Sequence, residues 1–259
     1  YNRVAFMKYA YDIFHDASVS AGKHAIFFID LDNFKNINDT LGHDYGDLLL
    51  QEVSEKMLAC ISKDDILARN GGDEFLILKN HFDTQDDLEN FASQLVNVVH
   101  HPFVLKDETA MVSISVGIAV FPDNGLTISE LIKNADIAMY NAKNSGKNSY
   151  RFFNSYMEDD VNRKNDLVEI LAHVIEKNEI YLQYQPQVNV ESGLVTGFEA
   201  LMRIESELVG FISPAEFIPI AEESGLINSL GEWALIEACN FNQVLIKSGF
   251  GPLRVSVNV

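Results

Sequence analysis

Cysteine is almost absent: Cys60 and Cys239 are the two in 259 residues. Two cysteines make no disulfide framework, which fits a protein of a reducing compartment held together by packing. No apolar run approaches the roughly 20 residues of a membrane-spanning helix, and Tyr1-Asn2-Arg3 does not read as the start of a secretory signal. Cations are scarce. Lys and Arg number 19 against 38 Asp and Glu, a net charge of −19. A field of that sign repels polyphosphate backbones and anionic lipid surfaces, so neither a nucleic-acid polymer nor a membrane surface is an expected partner. A single nucleotide held through metal ions stays open. Cys–His zinc spacings, a serine nucleophile elbow, repeats of fixed period and low-complexity tracts are all missing. What remains is globular composition, 47% hydrophobic and 22% charged, in a length that suits one or two domains.

The hydrophobic pattern places a helix over 5–16 and a buried strand over 25–31, whose end carries Asp30 and Asp32. Two apart, both carboxylates leave one face if the strand extends that far. A short helix stopping at Gly42 follows, then one from about Asp47 to Ile61. Two apolar runs, 66–69 and 74–78, flank Asn70-Gly71-Gly72-Asp73, and Asn-Gly between such runs signals a hairpin. A helix around 88–99, a strand over 111–121, a helix over 129–145 with Gly146 at C′ and a last strand over 147–153 complete an α+β set. The polar segment 154–166 reads as a boundary, followed by a helix to about Lys177. Strands over 180–190 and 194–204 flank the turn Glu191-Ser192-Gly193. Helices over 214–224 and 229–247 and a strand over 253–259 come next, a helix–strand order that suits a parallel α/β barrel. The domains read as 1–153, a linker and connecting helix over 154–178, and 179–259.

Gly71-Gly72-Asp73-Glu74-Phe75 is the most informative pentapeptide. Average composition gives it by chance on the order of once in 10⁴ chains of this length. Two glycines let a backbone turn tightly and let a ligand approach closely. Asp73 and Glu74 then stand at a hairpin tip, and Asp30 ends a strand that can lie beside it. Carboxylates from two elements are what hard Mg²⁺ requires, phosphate oxygens completing the octahedron. The bland alternative is a solvated turn. The neighbouring strings FIDLDNFKNINDTLGHDYGD (28–47), ARNGGDEF (68–75), VSISVGIAVFP and ADIAMYNAKNSGKN weigh against it.

With them, Tyr1 to about Phe153 resembles the GGDEF family, the diguanylate cyclases. The resemblance implies a central, mostly antiparallel sheet flanked by helices, like the nucleotide cyclases and the polymerase palm. It implies that Asp30 and Asp73 ligate Mg²⁺ (or Mn²⁺) with the Leu31 carbonyl, and that Glu74 supports the metal. Asn38 and Asp47 would read the guanine edge, as an amide and a carboxylate can. Gly71 and Gly72 would admit the nucleotide, and Lys35, Lys143 and Lys147 would hold phosphates. Lys143 and Lys147 share a face if their helix continues that far. The implied reaction condenses two GTP into cyclic di-GMP, and two domains must face each other as a homodimer. One departure concerns product inhibition. The family's Arg-x-x-Asp falls here on Ser62-Lys63-Asp64-Asp65, with the Asp and without the Arg. Inhibition through that site is therefore not expected at the family's strength, although Lys63 could substitute weakly, as a point charge and not a fork.

Residues 179–259 resemble the beginning of an EAL domain, the cyclic di-GMP phosphodiesterase family, through YLQYQPQV, GFEALMR, ISPAEFIPIAEESGLI and SVNV. The resemblance implies Glu199 and Asn258 as metal ligands at the mouth of a (β/α)₈ barrel, Arg203 on a substrate phosphate and Gln185 lining the same pocket. Such barrels take about 250 residues, so the barrel here is incomplete and no hydrolysis is expected from it alone. The expected compartment is the cytoplasm, with anchoring through a region before Tyr1 left open. Three readings follow: an active cyclase, a GTP-binding module that regulates a phosphodiesterase, and a silent receptor for cyclic di-GMP.

Overall fold

The computed structural model describes residues 1–17, 23–251 and 253–258. The chain separates into two compact units, Tyr1–Asp159 and Asp160–Val259.

The first unit is organised by β1 (His24–Asp32), all nine residues of which are buried. It lies at the centre of a five-stranded sheet of order β2-β3-β1-β6-β7, with β2 at Ile66–Gly71, β3 at Glu74–Lys79, β6 at Ser113–Phe121 and β7 at Ser149–Phe152. Only the β6–β7 pair is parallel. Period-two alternation sends Phe27, Ile29 and Leu31 to a core with α3 (His43–Leu58) and α4 (Gln85–Val99). It sends Ile26 and Phe28 to a second core with α1 (Arg3–Ala17) and α5 (Ile128–Asn144). Asp30 and Asp32 share parity with Ile26 and Phe28, so both carboxylates leave on the α5 side, as their spacing predicts. Between β1 and α3 lies the short α2 (Phe34–Leu41).

Capping fixes where α4 and α5 begin and where α5 ends. Thr84 with Asp87 and Thr127 with Glu130 form reciprocal capping boxes at the starts of α4 and α5. At the end of α5, Lys147 N–H bonds the Ala142 carbonyl at 3.2 Å and Gly146 N–H the Lys143 carbonyl at 3.4 Å, with Gly146 at φ 113. That is a Schellman closure. The helix therefore does not continue to Lys147, which corrects the shared-face expectation for Lys143 and Lys147. Another difference is the hairpin of β4 (Phe103–Leu105) and β5 (Glu108–Ala110), whose three-residue strands are too short to show alternation in sequence. α3 also starts earlier than predicted, placing Asp47 in its second turn.

The polar segment expected as a boundary over 154–166 is helical from Ser155 on. α6 runs Ser155–His173 and buries Leu167, Ile170 and Leu171 on one stripe, which Val174 just past its end extends. The second unit packs that stripe with Ile180, Ile204, Ile212, Phe217 and Leu230. Its sheet comprises β8 (Ile180–Val188), β9 (Val195–Ser206), β10 (Gly210–Ile212) and β11 (Arg254–Val257). β11 pairs with β9 in parallel, while β8 and β10 pair with it antiparallel. The expected turn at Glu191-Ser192-Gly193, with Gly193 at φ 68, closes β8 and β9 into a hairpin, and the helix-bearing connection from β9 to β11 is the parallel one. The helices of this unit are α7 (Pro214–Glu223) and α8 (Ile227–Lys247). Among the described residues, no helix is long and apolar enough to cross a membrane.

Candidate nucleotide and metal site

The β1–β3 ladder puts Asp30 directly opposite Glu74, and the Leu31 N–H donates to the Asp73 carbonyl at 3.3 Å. The end of the central strand and the hairpin tip are therefore one place. Gly71 pairs with Glu74, so the two connecting residues are Gly72 and Asp73. The turn lies two residues beyond the Asn70-Gly71 pair expected to form it, and the ladder bulges between Arg69 and Gly71. Gly72 takes φ 52, the left-handed conformation that favours glycine. No atom lies within 4 Å of where a Cβ would stand at Gly71 or Gly72, so the tip is open. Arg69 Nε donates to the Gly72 carbonyl at 2.8 Å, and Asn70 Nδ2 to Glu74 Oε2 at 2.7 Å.

Asp30 is 6% exposed. Lys143 Nζ lies 2.7 Å from its Oδ1. Burial pushes the Asp30 carboxyl up to about 6; the Lys143 ammonium opposes this, and the charges of Asp73 and Glu74 add to it. Asp32, two residues on, is held differently. It accepts from Ser113 Oγ at 2.6 Å, Ser115 Oγ at 2.7 Å and the Asn148 N–H at 3.1 Å. Asp32 thereby pins the turn after α5, where Lys147 and Asn148 adopt φ 62 and 45. Lys147 Nζ then reaches Asn33 Oδ1 at 2.8 Å. Lys143 and Lys147 thus converge on the β1 end through a turn and not along one helix face.

Asn38 packs against Gly46, the residue before Asp47. A Cβ at Gly46 would lie 1.9 Å from Asn38 Oδ1, so glycine is what lets the Asn38 amide pack there. That oxygen is buried without a hydrogen-bond partner. Asp47 lines a cavity of about 520 Å³ with Leu50, Gln51, Arg69 and Phe75. Lys35 is exposed on the first turn of α2.

The donor set suits a hard divalent cation: Glu74 on β3 and Asp73 in the connection crowd the buried Asp30 of β1, and the Lys143 ammonium only partly offsets its burial. It is not preassembled as a cage. Among the described residues, no three His, Cys, Asp or Glu side chains are grouped so as to hold a metal ion. Lys143 sits on Asp30, and Asp73 and Glu74 are consecutive residues, one in the connection and one on the strand.

Asp65 of the inhibition motif has a structural task. It accepts from the Ser62 N–H at 2.9 Å, the Asn80 N–H at 3.1 Å and Lys79 Nζ at 2.7 Å. Burial acts to raise its pKa, but these bonds outweigh it and hold the carboxyl below the usual range.

In the second unit, Gln185 pairs opposite Glu199 on β8 and β9, and Asn258 Nδ2 donates to Glu199 Oε1 at 3.1 Å. Arg203 shares the parity of Glu199 and donates through Nε to Gln183 Oε1 at 2.9 Å. The four residues lie on one face of the sheet, opposite the core face of Ala200 and Ile204.

Sequence reasoning did not reach Asn70, which steadies Glu74, or Asp136 on α5. Burial raises the Asp136 carboxyl, with the Glu74 charge adding and Lys143 opposing. Asp136 was detectable as the residue seven before Lys143, two turns back on the same helix face.

Residues 1–149 match the family described as "Diguanylate cyclase, GGDEF domain", and residues 168–259 match the EAL domain. The chain is 40% identical over 237 residues to the "Bifunctional diguanylate cyclase/cyclic di-GMP phosphodiesterase MucR" of Pseudomonas aeruginosa, covering 92% of this chain and 34% of that protein. It is 38% identical over 237 residues to the "Cyclic di-GMP phosphodiesterase PdeR" of Escherichia coli, covering 92% and 35%. The chain therefore spans about a third of the length of these curated relatives. The crystal structure of the GGDEF domain of YfiN (TpbB) from Pseudomonas aeruginosa superposes with a TM-score of 0.58 at 34% identity, covering 60% of this chain and 96% of that one. The chain belongs to the GGDEF family of cyclic di-GMP signalling proteins, with EAL-domain sequence following its GGDEF domain.

Proposed function

We propose that the first unit binds GTP with Mg²⁺ or Mn²⁺ and condenses two GTP into cyclic di-GMP. The observation that carries this is the meeting of Asp30, Leu31, Asp73 and Glu74 at one end of the sheet, with Lys143 and Lys147 brought to the same end. Asp30, Asp73 and the Leu31 carbonyl hold the cation, and Glu74, steadied by Asn70, supports it. When bound, the cation lowers the pKa of the attacking 3′-hydroxyl and neutralises charge on the transferring phosphoryl group. Asn38 and Asp47 read the guanine edge. The open tip at Gly71 and Gly72 lets phosphates come close, and Lys35, Lys143 and Lys147 balance their charge. Each 3′-hydroxyl attacks the α-phosphorus of the other GTP; two P–O bonds form and two pyrophosphates leave. One domain holds one GTP, so the active species is a homodimer of GGDEF domains. The cytoplasm supplies both GTP and Mg²⁺ and is the proposed compartment.

A second reading rests on the name of PdeR, a phosphodiesterase covering nearly the same span of this chain. In it the GGDEF domain binds GTP without turnover and regulates an EAL phosphodiesterase. Gln185, Glu199, Arg203 and Asn258 would belong to that enzyme's pocket, and we assign them no hydrolysis by themselves. Concentrated protein incubated with GTP and Mg²⁺, beside Asp73→Ala, separates the two readings by chromatography. Cyclic di-GMP from the wild type and none from the variant supports the cyclase. Saturable GTP binding with no product supports the regulatory module.

A further inference from the structure

Asp30 and Asp32 are two buried carboxylates at the end of one strand, and the chain neutralises them in different ways. Asp32 is fixed by two hydroxyls and a backbone N–H. Ser115 stands opposite Asp30 in the ladder, yet its hydroxyl goes to Asp32. Asp30 is left with an ammonium, Lys143 Nζ at 2.7 Å. The acid's side chain is 8% exposed and the lysine's 30%. Asp30 is set on the backbone of the central strand, whereas Lys143 reaches in from a more open position on a four-carbon stem with free torsions. Of the two, the lysine can leave. Three further carboxylates, Asp73, Glu74 and Asp136, bear electrostatically on this pair. Lys143 therefore occupies the place, and supplies the charge, of a cation.

We propose that Lys143 is an exchangeable internal counter-ion. In the nucleotide-free protein it sits on Asp30 and competes with the divalent cation. When nucleotide phosphates arrive, they draw the ammonium away and open Asp30 to the metal. Metal and nucleotide then bind with positive coupling, and by linkage each raises the affinity of the other. This rests on the metal reading of Asp30 given above and adds to it the order in which the site is filled.

The test titrates Mn²⁺ alone into the whole chain, without nucleotide, and follows free Mn²⁺ by electron paramagnetic resonance. Lys143→Met removes the ammonium and keeps the stem; Lys143→Arg keeps a cation; Asp30→Asn removes the proposed ligand. Loss of one charged hydrogen bond makes Lys143→Met bind Mn²⁺ on the order of tenfold more tightly than wild type, while Lys143→Arg stays near wild type. At saturating Mn²⁺ the order reverses for 3′-deoxy-GTP, which cannot be cyclised: Lys143→Met binds it more weakly. The arginine variant separates charge from packing, since loosening of the fold would not follow the sign of the side chain. Mn²⁺ binding that is lost in Asp30→Asn but unchanged or weakened in Lys143→Met overturns the exchange and leaves the metal reading standing. Mn²⁺ binding that Asp30→Asn does not alter overturns the metal reading, and the exchange with it.

Discussion

Two glycines in the first unit face a neighbouring atom at the same distance, and they predict opposite phenotypes. A Cβ built on Gly117 in β6 would lie 1.9 Å from the Ala135 carbonyl oxygen and 2.2 Å from the Met139 nitrogen. Both are backbone atoms of α5, which packs directly on the sheet. A carbon–oxygen contact needs a little over 3 Å, so α5 must retreat by roughly 1 Å or more in an interior packed at crystal-like density. Overpacking costs about 1–3 kcal/mol, and a clash with main chain belongs at the upper end. At about 2–4 °C per kcal/mol for a unit of this size, Gly117→Ala lowers the unfolding temperature of the first unit by about 6–12 °C. The same retreat carries Lys143 and the turn holding Lys147 away from Asp30 and Asn33, and a displacement of about 1 Å can cost two orders of magnitude in rate. Scanning calorimetry of the whole chain, beside GTP turnover, measures both effects. An unchanged transition with unchanged turnover would refute the claim that α5 is seated by the missing side chain of Gly117.

The other glycine, Gly46, would place its Cβ 1.9 Å from Asn38 Oδ1, a side-chain atom able to swing away. Gly46→Ala gains helix propensity, so stability stays within about 1 kcal/mol, while the Asn38 amide is displaced and GTP affinity falls; calorimetric titration with GTP tests this against an unchanged melt. Asp65 has a carboxyl pKa held below the usual range. Its stabilising contribution is therefore complete above the unfolded value near 3.9 and is lost as pH falls through the lower folded value. Asp65→Asn, which leaves the Lys79 ammonium without its carboxylate, costs about 3 kcal/mol at pH 7 by urea unfolding, and the gap to wild type closes under strong acid. His24 works in the opposite chemical sense. Burial lowers its pKa, with a bond to Asn80 opposing and His81 adding. Below the unfolded value near 6.5 the unfolded chain takes the proton more readily, so stability drops by up to about 1 kcal/mol between pH 7.5 and 5.5. His24→Phe flattens that slope; a slope unchanged in the variant rules His24 out as its source.

Much of the site could be read from sequence because its parts carry chemistry at fixed spacing. The run ending in Asp30 and Asp32 announced a buried strand whose last acids share a face, and the two glycines marked an open turn beside it. What escaped depended on competition among neighbours. Asn70 looked like the first half of an Asn-Gly turn, yet its amide is taken by Glu74 and the connection lies past a bulge, at Gly72 and Asp73. Lys143 and Lys147 looked like helix neighbours, yet the bonds from Gly146 and Lys147 close α5 before the second lysine. The β4–β5 hairpin turns at Lys106, a non-glycine residue at φ 56, so no glycine signalled it. In the second unit, Glu199 and Asn258 were legible singly, but their contact needs the parallel β9–β11 pairing of strands about sixty residues apart.

The placement of the site follows from where the sheet can tolerate charge. β1 is buried along its whole length, and an isolated carboxylate there would be driven to its neutral form. The strand's last three residues adjoin an open hairpin tip, the serine-bearing start of β6 and the end of a helix whose last turn carries a lysine. Charge becomes tolerable there because each acid meets a different compensation. Asp32 uses groups that cannot leave, and the loop it holds is accordingly fixed. Asp30 uses a group that can, and so keeps a carboxylate desolvated, in register with Glu74 and open to replacement of its counter-ion. A serine given to Asp30 in place of a lysine would bury the acid equally well, but it would offer no positive charge to exchange for a metal. On the exchange proposed above, Lys143 balances the charge of Asp30 before it meets phosphate; the ion pair with Asp30 is in the structure, and the sequence alone, which shows one lysine near a helix end, carries no sign of it.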